Sequence, residues 1–394
     1  MHSLPHDHIG ARIKRLRRER HLTQRALSDL SGVPYSTTTK TEQGVLPATP
    51  HVIASFARAM RVEVSSITGQ PYVAELRADQ LDVLIMPIRE ALDVYDLGPD
   101  PDIQPRPRQL LEADAEDLLV MVRAGEIKRA ASQVAGLIQE ATTAAHSADS
   151  REGWLLLAST YRTAYDVAAK LGHNDLAAIA LSRMDWAAQR AGDAVVGGMY
   201  RYMRALTYLR EGQYRTGERL VKVGFSTLEQ APAGRERDVV TGQLHLGAAV
   251  MAGRAGNADR AQGHLAEGER IAAATGEAVD VHWLTFGPTN VKVHRVSVLA
   301  ELDEYGAASQ AGRTIAFPEA WPASRRSHHY AELARAQMWT GALDESFGNL
   351  LRARKAAPQQ ARYHATVRAT YEGLEAAKRQ LPDSFLSYGS WLSA

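Results

Sequence analysis

Apolar residues recur every three or four positions along most of the chain, which is the spacing that places them on one side of an α-helix. Near the N-terminus, Ala26, Leu27 and Leu30 follow this spacing, and we expect them to form the buried face of a short helix. From about residue 110 to the end, one helical pattern follows another. The sequence therefore predicts an all-α protein.

The segment from residue 22 to 44 has the spacing of a helix-turn-helix. Thr23 suits the N-cap of the first helix, because its hydroxyl can accept a hydrogen bond from a free N–H of the first turn. Gly32 can end that helix in a left-handed conformation, and Pro34 can begin the second helix, which ends near Gly44. These signals predict two helices joined by a tight turn.

Beyond residue 110, a glycine follows a helix six times, and a small residue follows each glycine five positions later. Glycine permits a sharp turn, and a small residue lets the next helix pack closely. The intervals of 35 to 50 residues between these glycines are similar to a degenerate tetratricopeptide-repeat array, which indicates an α-solenoid. The six pairs are Gly125/Ala130, Gly172/Ala177, Gly212/Gly217, Gly256/Ala261, Gly306/Ala311 and Gly341/Ser346.

Charge is distributed unevenly although the net charge is only +1. Residues 1–70 carry ten Lys and Arg against five Asp and Glu, whereas residues 71–120 carry four against twelve. A small basic unit next to an acidic connector is typical of a nucleic-acid-binding domain attached to a larger body that does not bind nucleic acid.

The N-terminal segment resembles the lambda-repressor-like, or XRE, class of DNA-binding domains, over roughly residues 8 to 70. The resemblance implies binding to a double-stranded DNA operator, and an ion pair between Arg17 and Glu42. Large aliphatic residues usually stand at the positions of Thr38 and Thr41, so we expect a marginally anchored recognition helix. The matching residues are Leu22, Thr23, Gln24, Leu27, Gly32, Val33, Glu42 and Gly44.

The candidate DNA contacts lie on the first three helices. Basic residues of the first helix are expected to contact phosphates, and the exposed face of the recognition helix is expected to read the major groove. The resemblance implies that Gln24 binds a phosphate or a base edge. A competing interpretation is that some of these side chains contact only phosphate or water. The predicted set is Arg15, Arg18, Gln24, Tyr35, Ser36, Thr39 and Lys40.

A division of the chain into three segments follows from these patterns. We predict a DNA-binding domain over residues 1–70, a connector over 71–107 and a helical repeat domain over 108–394. An amphipathic stretch over 76–95 is either a connector helix or a dimer seam. Four prolines in residues 98–107 exclude a helix there and indicate a hinge.

The first helices of the predicted hairpins are rich in aromatic and hydrogen-bonding side chains. One interpretation is a concave groove that binds a peptide or small-molecule effector, and the other is ordinary core packing. The architecture is distantly similar to Gram-positive peptide-pheromone receptors, in which groove asparagines hold the peptide backbone, and this likeness points to Asn290 after the helix-breaking residues 281–288. The predicted ligand residues are Tyr200, Arg204, Gln243, Asn290 and His294.

Other function classes lack support in the sequence. The chain has no cysteine, no apolar run long enough to span a membrane, and none of the common metalloprotease, nucleotide-binding or hydrolase motifs. His2, His6 and His8 are either a loose polar tail or a metal site, and we expect no cofactor.

These observations predict a cytoplasmic, homodimeric transcription regulator, similar to actinobacterial-type regulators that join an XRE domain to tetratricopeptide repeats. The alternative is a repeat scaffold that binds a protein partner and carries a weak or vestigial DNA-binding domain. Neither interpretation makes the protein an enzyme.

Overall fold

The computed structural model describes residues 8–68, 78–377 and 382–393, and within them helices dominate. The all-α prediction is confirmed. Across these ranges, every helix is too short or too polar to cross a bilayer. His2 and His6 lie outside the described residues, and His8 caps the first helix by accepting a hydrogen bond at Nδ1 from Ala11 N–H at 3.2 Å.

Five helices form the N-terminal helix-turn-helix domain. Its core includes Ile13, Leu27, Phe56 and Ile67, all without solvent exposure. Leu30 was expected in this core but is 62% exposed, because Val33 of the following turn enters the core instead. The helices are α1 (Ile9–Glu19), α2 (Gln24–Ser31), α3 (Tyr35–Glu42), α4 (Pro50–Met60) and α5 (Val64–Thr68).

The connector helix α6 (Ala78–Asp93) packs within the chain. Ile85, Ile88 and Leu92 are buried in the same core cluster as the repeats. Residues 98–107 form no helix, as the prolines predict, and Arg106 binds Glu140 at 2.8 Å. Because the apolar stripe of α6 is already covered, the structure favours the connector interpretation over the dimer seam.

The rest of the chain folds into helical hairpins. Each odd-numbered helix from α7 to α17 pairs with the helix that follows it. Three helices close the C-terminal end. The helices are α7 (Arg108–Ala124), α8 (Ile127–Ala148), α9 (Arg151–Lys170), α10 (Asn174–Ala191), α11 (Ala194–Arg210), α12 (Tyr214–Glu229), α13 (Arg235–Arg254), α14 (Ala258–Thr275), α15 (Pro288–Glu301), α16 (Tyr305–Arg313), α17 (Ala323–Trp339), α18 (Leu343–Ala356), α19 (Pro358–Tyr363), α20 (Ala365–Ala377) and α21 (Asp383–Ser393).

Five of the six predicted turn glycines have a positive φ angle between the two helices of a hairpin, such as 71° at Gly212. The prediction for Gly306 is wrong, because this residue lies inside the first turn of α16. Asp303 takes the left-handed position there, with φ of 62°. Ala308, five residues after Asp303, is fully buried, so the same spacing continues with aspartate in place of glycine.

The hairpins form a superhelix that returns to its own beginning. Helix α17 of the sixth hairpin packs against α7 of the first. Near this seam, Arg123 Nη1 donates to the carbonyl oxygen of Val279 at 2.8 Å, and a Cβ on Gly125 would lie 3.4 Å from the Cβ of Ala357. The first helices of the hairpins therefore surround an interior space.

Candidate nucleic-acid interface and repeat interior

The recognition helix α3 is anchored by two buried threonines. Thr38 and Thr41 are 0% and 1% exposed, and a Cβ on Gly10 would lie only 1.9 Å from the carbonyl oxygen of Thr41. The Thr38 hydroxyl donates to the carbonyl oxygen of Pro34 at 3.2 Å, whereas the Thr41 hydroxyl is buried without a partner. Thus α3 packs closely on α1 with one unsatisfied polar group.

A buried ion pair joins α1 to the end of α3. Arg17 Nε and Nη2 donate to the two carboxylate oxygens of Glu42 at 2.5 and 2.9 Å, and this hydrogen bonding raises the pKa of Arg17. Gln24 Nε2 donates to Glu42 Oε2 at 2.8 Å. The side-chain amide of Gln24 is therefore held by Glu42 of α3.

The exposed surface of α1 and α3 carries five of the seven predicted DNA contacts. Arg15 and Arg18 are exposed on α1, and Tyr35, Ser36 and Lys40 are exposed on α3. A guanidinium lies over one aromatic ring of this surface, with Arg25 Cζ 5.7 Å from the Tyr35 ring centroid. The two exceptions are Gln24, which is half-buried and bound to Glu42, and Thr39, whose hydroxyl is buried without a hydrogen-bond partner.

The opposite side of the domain packs against the repeats at the turn between α11 and α12. Arg58 Nη1 donates to the carbonyl oxygen of Gly212 at 3.1 Å, and the rings of His51 and Tyr214 stack with centroids 6.3 Å apart. A Cβ on Gly212 would lie 2.6 Å from the Cβ of Ala54, so the backbone of this turn touches α4 directly.

A second contact joins the domain to α20. Ala369 packs against the core of the N-terminal domain, and the Glu372 carboxylate accepts a hydrogen bond from the backbone N–H of Ile9 at the start of α1. Burial raises the pKa of Glu372, and the nearby Arg12 charge opposes this rise. The domain is thus held at α4 and at the start of α1, while the exposed candidates for DNA contact on α1 and α3 stay accessible.

In the interior, hydrogen bonds connect the first helices of four successive hairpins. Gln243 Nε2 donates to the Tyr202 hydroxyl at 2.7 Å, and Asn290 Nδ2 donates to Gln243 Oε1 at 3.1 Å. Arg325 Nη2 then donates to Asn290 Oδ1 at 3.4 Å. The series runs across α11, α13, α15 and α17, and Tyr202, Gln243 and Asn290 are buried within it.

The five predicted ligand residues do not form one groove. Gln243, Asn290 and His294 lie together, and His294 Nδ1 is 2.9 Å from the carbonyl oxygen of Asn290. Arg204 Nη1 instead donates to the hydroxyl of Tyr200 at 3.2 Å. These two side chains are separated from the interior because positions 200 and 202 of one helix point in different directions.

Sequence reasoning missed a group of cations around this hydrogen-bonded series: Arg123, Arg162, Lys170, Arg210 and Arg325. They come from four different first helices, α7, α9, α11 and α17. They lie up to 202 residues apart in the sequence and form no local run of positive charge. The sequence therefore gives no sign that they are neighbours in space. Only the closure of the superhelix brings them together.

The comparisons with known proteins support the N-terminal domain. The sequence of residues 8–65 matches a protein-family model described as a helix-turn-helix domain. No curated protein matches the chain significantly.

Two solved structures align over most of the chain at low identity. They are a mutant of PrgX, with 11% identity, coverage of 97% of this chain and 99% of that chain and a TM-score of 0.26, and a PrgX/iCF10 complex, with 10% identity, coverage of 97% and 94% and a TM-score of 0.27. TM-scores this low do not establish a shared arrangement of the helices.

Proposed function

We propose that this protein is an XRE-type transcription regulator that binds a double-stranded DNA operator and responds to an effector bound by its repeat domain. The observation that carries the proposal is the helix-turn-helix domain over residues 8–65, with Tyr35, Ser36 and Lys40 exposed on its recognition helix α3. In such domains, the exposed face of that helix enters the major groove.

The two contacts between this domain and the repeats support a regulatory role. The turn at Gly212 and helix α20 hold the domain from the side that carries Ala54 and Ile9. A ligand that favours one arrangement of the hairpins would shift the position of the DNA surface. In a homodimer, such a shift changes the distance between two recognition helices, and half-sites lie about 34 Å or a multiple of that apart.

Selection of bound fragments from the source genome, followed by titration at two salt concentrations, tests the DNA-binding part. We expect a sequence-selective site with two half-sites and an affinity that falls steeply with salt. Weak binding that is equal for all DNA, with or without small-molecule extracts, contradicts the proposal and supports the repeat-scaffold alternative.

Two substitutions separate base reading from phosphate contact. Lys40→Ala should relax sequence preference and cost about 1–3 kcal/mol on the operator if the lysine contacts guanine. Arg18→Ala should weaken operator and random DNA alike and flatten the dependence on salt. Equal losses for Lys40→Ala on operator and random DNA contradict the base-reading role.

A further inference from the structure

The cations of the repeat interior have neutral hydrogen-bond partners. Arg123 donates to the carbonyl oxygen of Val279, and Arg162 donates to the carbonyl oxygens of His282 and Trp283. The Nε–H of Arg162 is buried without any partner. Arg162 is thus buried and Arg123 half-buried, and neither has a carboxylate as a hydrogen-bond partner.

The other three cations of the interior are similarly placed. Lys170 Nζ donates to Gln360 Oε1 at 3.0 Å, and the phenol of Tyr165 lies near Arg210 and raises its pKa. Arg325 donates to an amide oxygen. Within the described residues, no carboxylate lies within 4.0 Å of a charged nitrogen of any of the five.

These charges are close enough to repel one another. The pKa of Arg123 is lowered to about 10 by burial and by the charges of Arg162 and Arg325. Burial lowers the pKa of Lys170 as well, and Arg210 and Arg325 lower it further. The carboxylate of Asp166 opposes this repulsion, since its charge raises the pKa of Arg162 and Lys170. The pKa of Arg210 is raised, first by the phenol of Tyr165 and also by Asp166.

The cations border a space that solvent reaches. The side chains of Lys170 and Arg325 are half-buried, and that of Arg210 is exposed. The surrounding protein atoms still lower the pKa of Lys170 by desolvation, and desolvation acts in the same direction on the pKa of Arg210. Arg123 and Trp283 also line a cleft of about 500 Å³ beside the seam between α7 and α17. Glu116 and Asp280 line the same cleft, and Asp280 is paired with Arg235 at 3.1 Å. A cleft of this size suits a small molecule.

Buried or desolvated charges are normally paired, since an unpaired charge costs several kcal/mol. The five cations outnumber the carboxylates of Asp166 and Glu116 near them, which leaves an excess of positive charge that an anion would neutralise. We infer that the interior of the repeat superhelix binds a small molecule with at least two negative charges, carried by phosphate or carboxylate groups. The inference rests on the effector-binding part of the proposed function and names the chemistry of the effector.

Calorimetry and thermal unfolding of the full chain test this site with sodium pyrophosphate and with sodium citrate, each against sodium chloride at equal ionic strength. We expect one or both to bind and to raise the unfolding midpoint by roughly 5 °C at a hundredfold excess over Kd. Pyrophosphate alone identifies a phosphate ligand, and citrate alone identifies a carboxylate ligand. A midpoint no higher than in sodium chloride overturns the inference.

Substitution of the central cation localises the site. Arg325→Met should weaken anion binding at least about tenfold, because charge-assisted hydrogen bonds to the anion are lost. Without anion, this variant should unfold cooperatively at the same midpoint as the wild type or a higher one. Arg270→Gln, on an exposed side chain of α14, is the matched control and should bind as the wild type does.

Two results of the variants overturn the assignment: undiminished anion binding by Arg325→Met, or a lower unfolding midpoint of that variant without anion, which would make the cation structural. Operator binding is measured on the same preparations without anion. A chain that selects an operator but ignores both anions refutes the anion site alone, whereas a chain that binds an anion but no operator refutes the DNA-binding function alone.

Discussion

Two groups of arginines lie inside the repeat domain, and they differ in how their charge is balanced. Arg254 and Arg335 share the carboxylate of Glu301, at 2.8 and 3.1 Å, and Arg335 also binds Glu332 at 2.7 Å. The group around Arg325 has amide, phenol and carbonyl oxygens as partners instead. The same fold thus contains a closed network of two cations and two anions beside a group in which the cations outnumber the nearby carboxylates.

This difference separates a structural role from a binding role. The closed network joins α13, α15 and α17 and leaves no charge unpaired, so it needs no ligand. The open group, which consists of Arg325 with Arg123, Arg162, Lys170 and Arg210, keeps its positive charge in a space that solvent reaches. This charge costs stability in the free protein. Such a cost is retained where binding depends on it.

The largest expected effect comes from breaking the closed network. Glu301→Gln removes the carboxylate that pairs Arg254 and should lower the free energy of unfolding by about 3–5 kcal/mol, because a buried cation is left unpaired. Urea unfolding followed by circular dichroism measures this. Glu267→Gln, which alters an exposed pair with Arg270, should leave the unfolding midpoint unchanged. A loss of unfolding free energy below about 1 kcal/mol for Glu301→Gln would contradict the structural role of the closed network.

The open group should also make the free energy of unfolding depend on pH. Burial and the charge of Arg325 lower the pKa of His294 to about 3, so between pH 3 and 6.5 the unfolded chain binds a proton that the native chain does not. The free energy of unfolding should therefore fall as pH drops from 7 to 5, by up to about 1.4 kcal/mol per pH unit for this histidine.

The pKa values of His328 and His364 are lowered in the same direction, so they steepen the dependence. In Arg325→Met, the dependence should be shallower, because one of the charges that lower the pKa of His294 and His328 is gone. Urea unfolding of both proteins at pH 7, 6 and 5 provides the comparison. Parallel curves would show that the charge of Arg325 does not act on these imidazoles.

Removal of one cation from the open group should stabilise the free protein. Arg325→Met keeps the length of the side chain and relieves repulsion with Arg123 and Lys170, so we expect a gain of about 1–2 kcal/mol in urea unfolding at pH 7. The corresponding change in the closed network, Arg335→Met, should instead be destabilising. If both variants lose stability alike, the two groups are equally structural.

The smallest expected effect on stability concerns two buried hydroxyls of the recognition helix, one with a hydrogen-bond partner and one without. Thr41→Val removes a buried hydroxyl that has no partner and should stabilise the protein by about 1 kcal/mol. Thr38→Val is the matched control, since it removes a hydroxyl that donates to Pro34, and no gain is expected. Thermal unfolding resolves the two variants. A larger gain from Thr38→Val would contradict the hydrogen-bond assignment.

Much of the N-terminal domain was predictable because its signals are local. The cap at Thr23, the left-handed turn at Gly32 and the spacing of the short helices each depend on a few neighbouring residues. The burial of Leu30 was mispredicted, since helical spacing alone does not show that Val33 of the next turn fills the core.

The repeat domain was predictable in its hairpins but not in its interior. Turn glycines and small residues five positions later are read directly from the sequence, and Asp303 shows that another residue can take the same left-handed conformation. The ligand prediction placed Tyr200 and Arg204 with Gln243, because both helices are first helices of hairpins. Which side of each helix faces the interior depends on the packing of neighbouring hairpins.

The sequence by itself determined the helices, the turns between them and the basic surface of the N-terminal domain, because these depend on contacts within a few residues. Only the tertiary structure decided which charges meet. Arg123 and Arg325 are about two hundred residues apart in the chain, and the closure of α17 onto α7 places their charges within interaction range. Coulomb interactions depend on distance in space, so a group of cations assembled from four helices exists only in the folded chain.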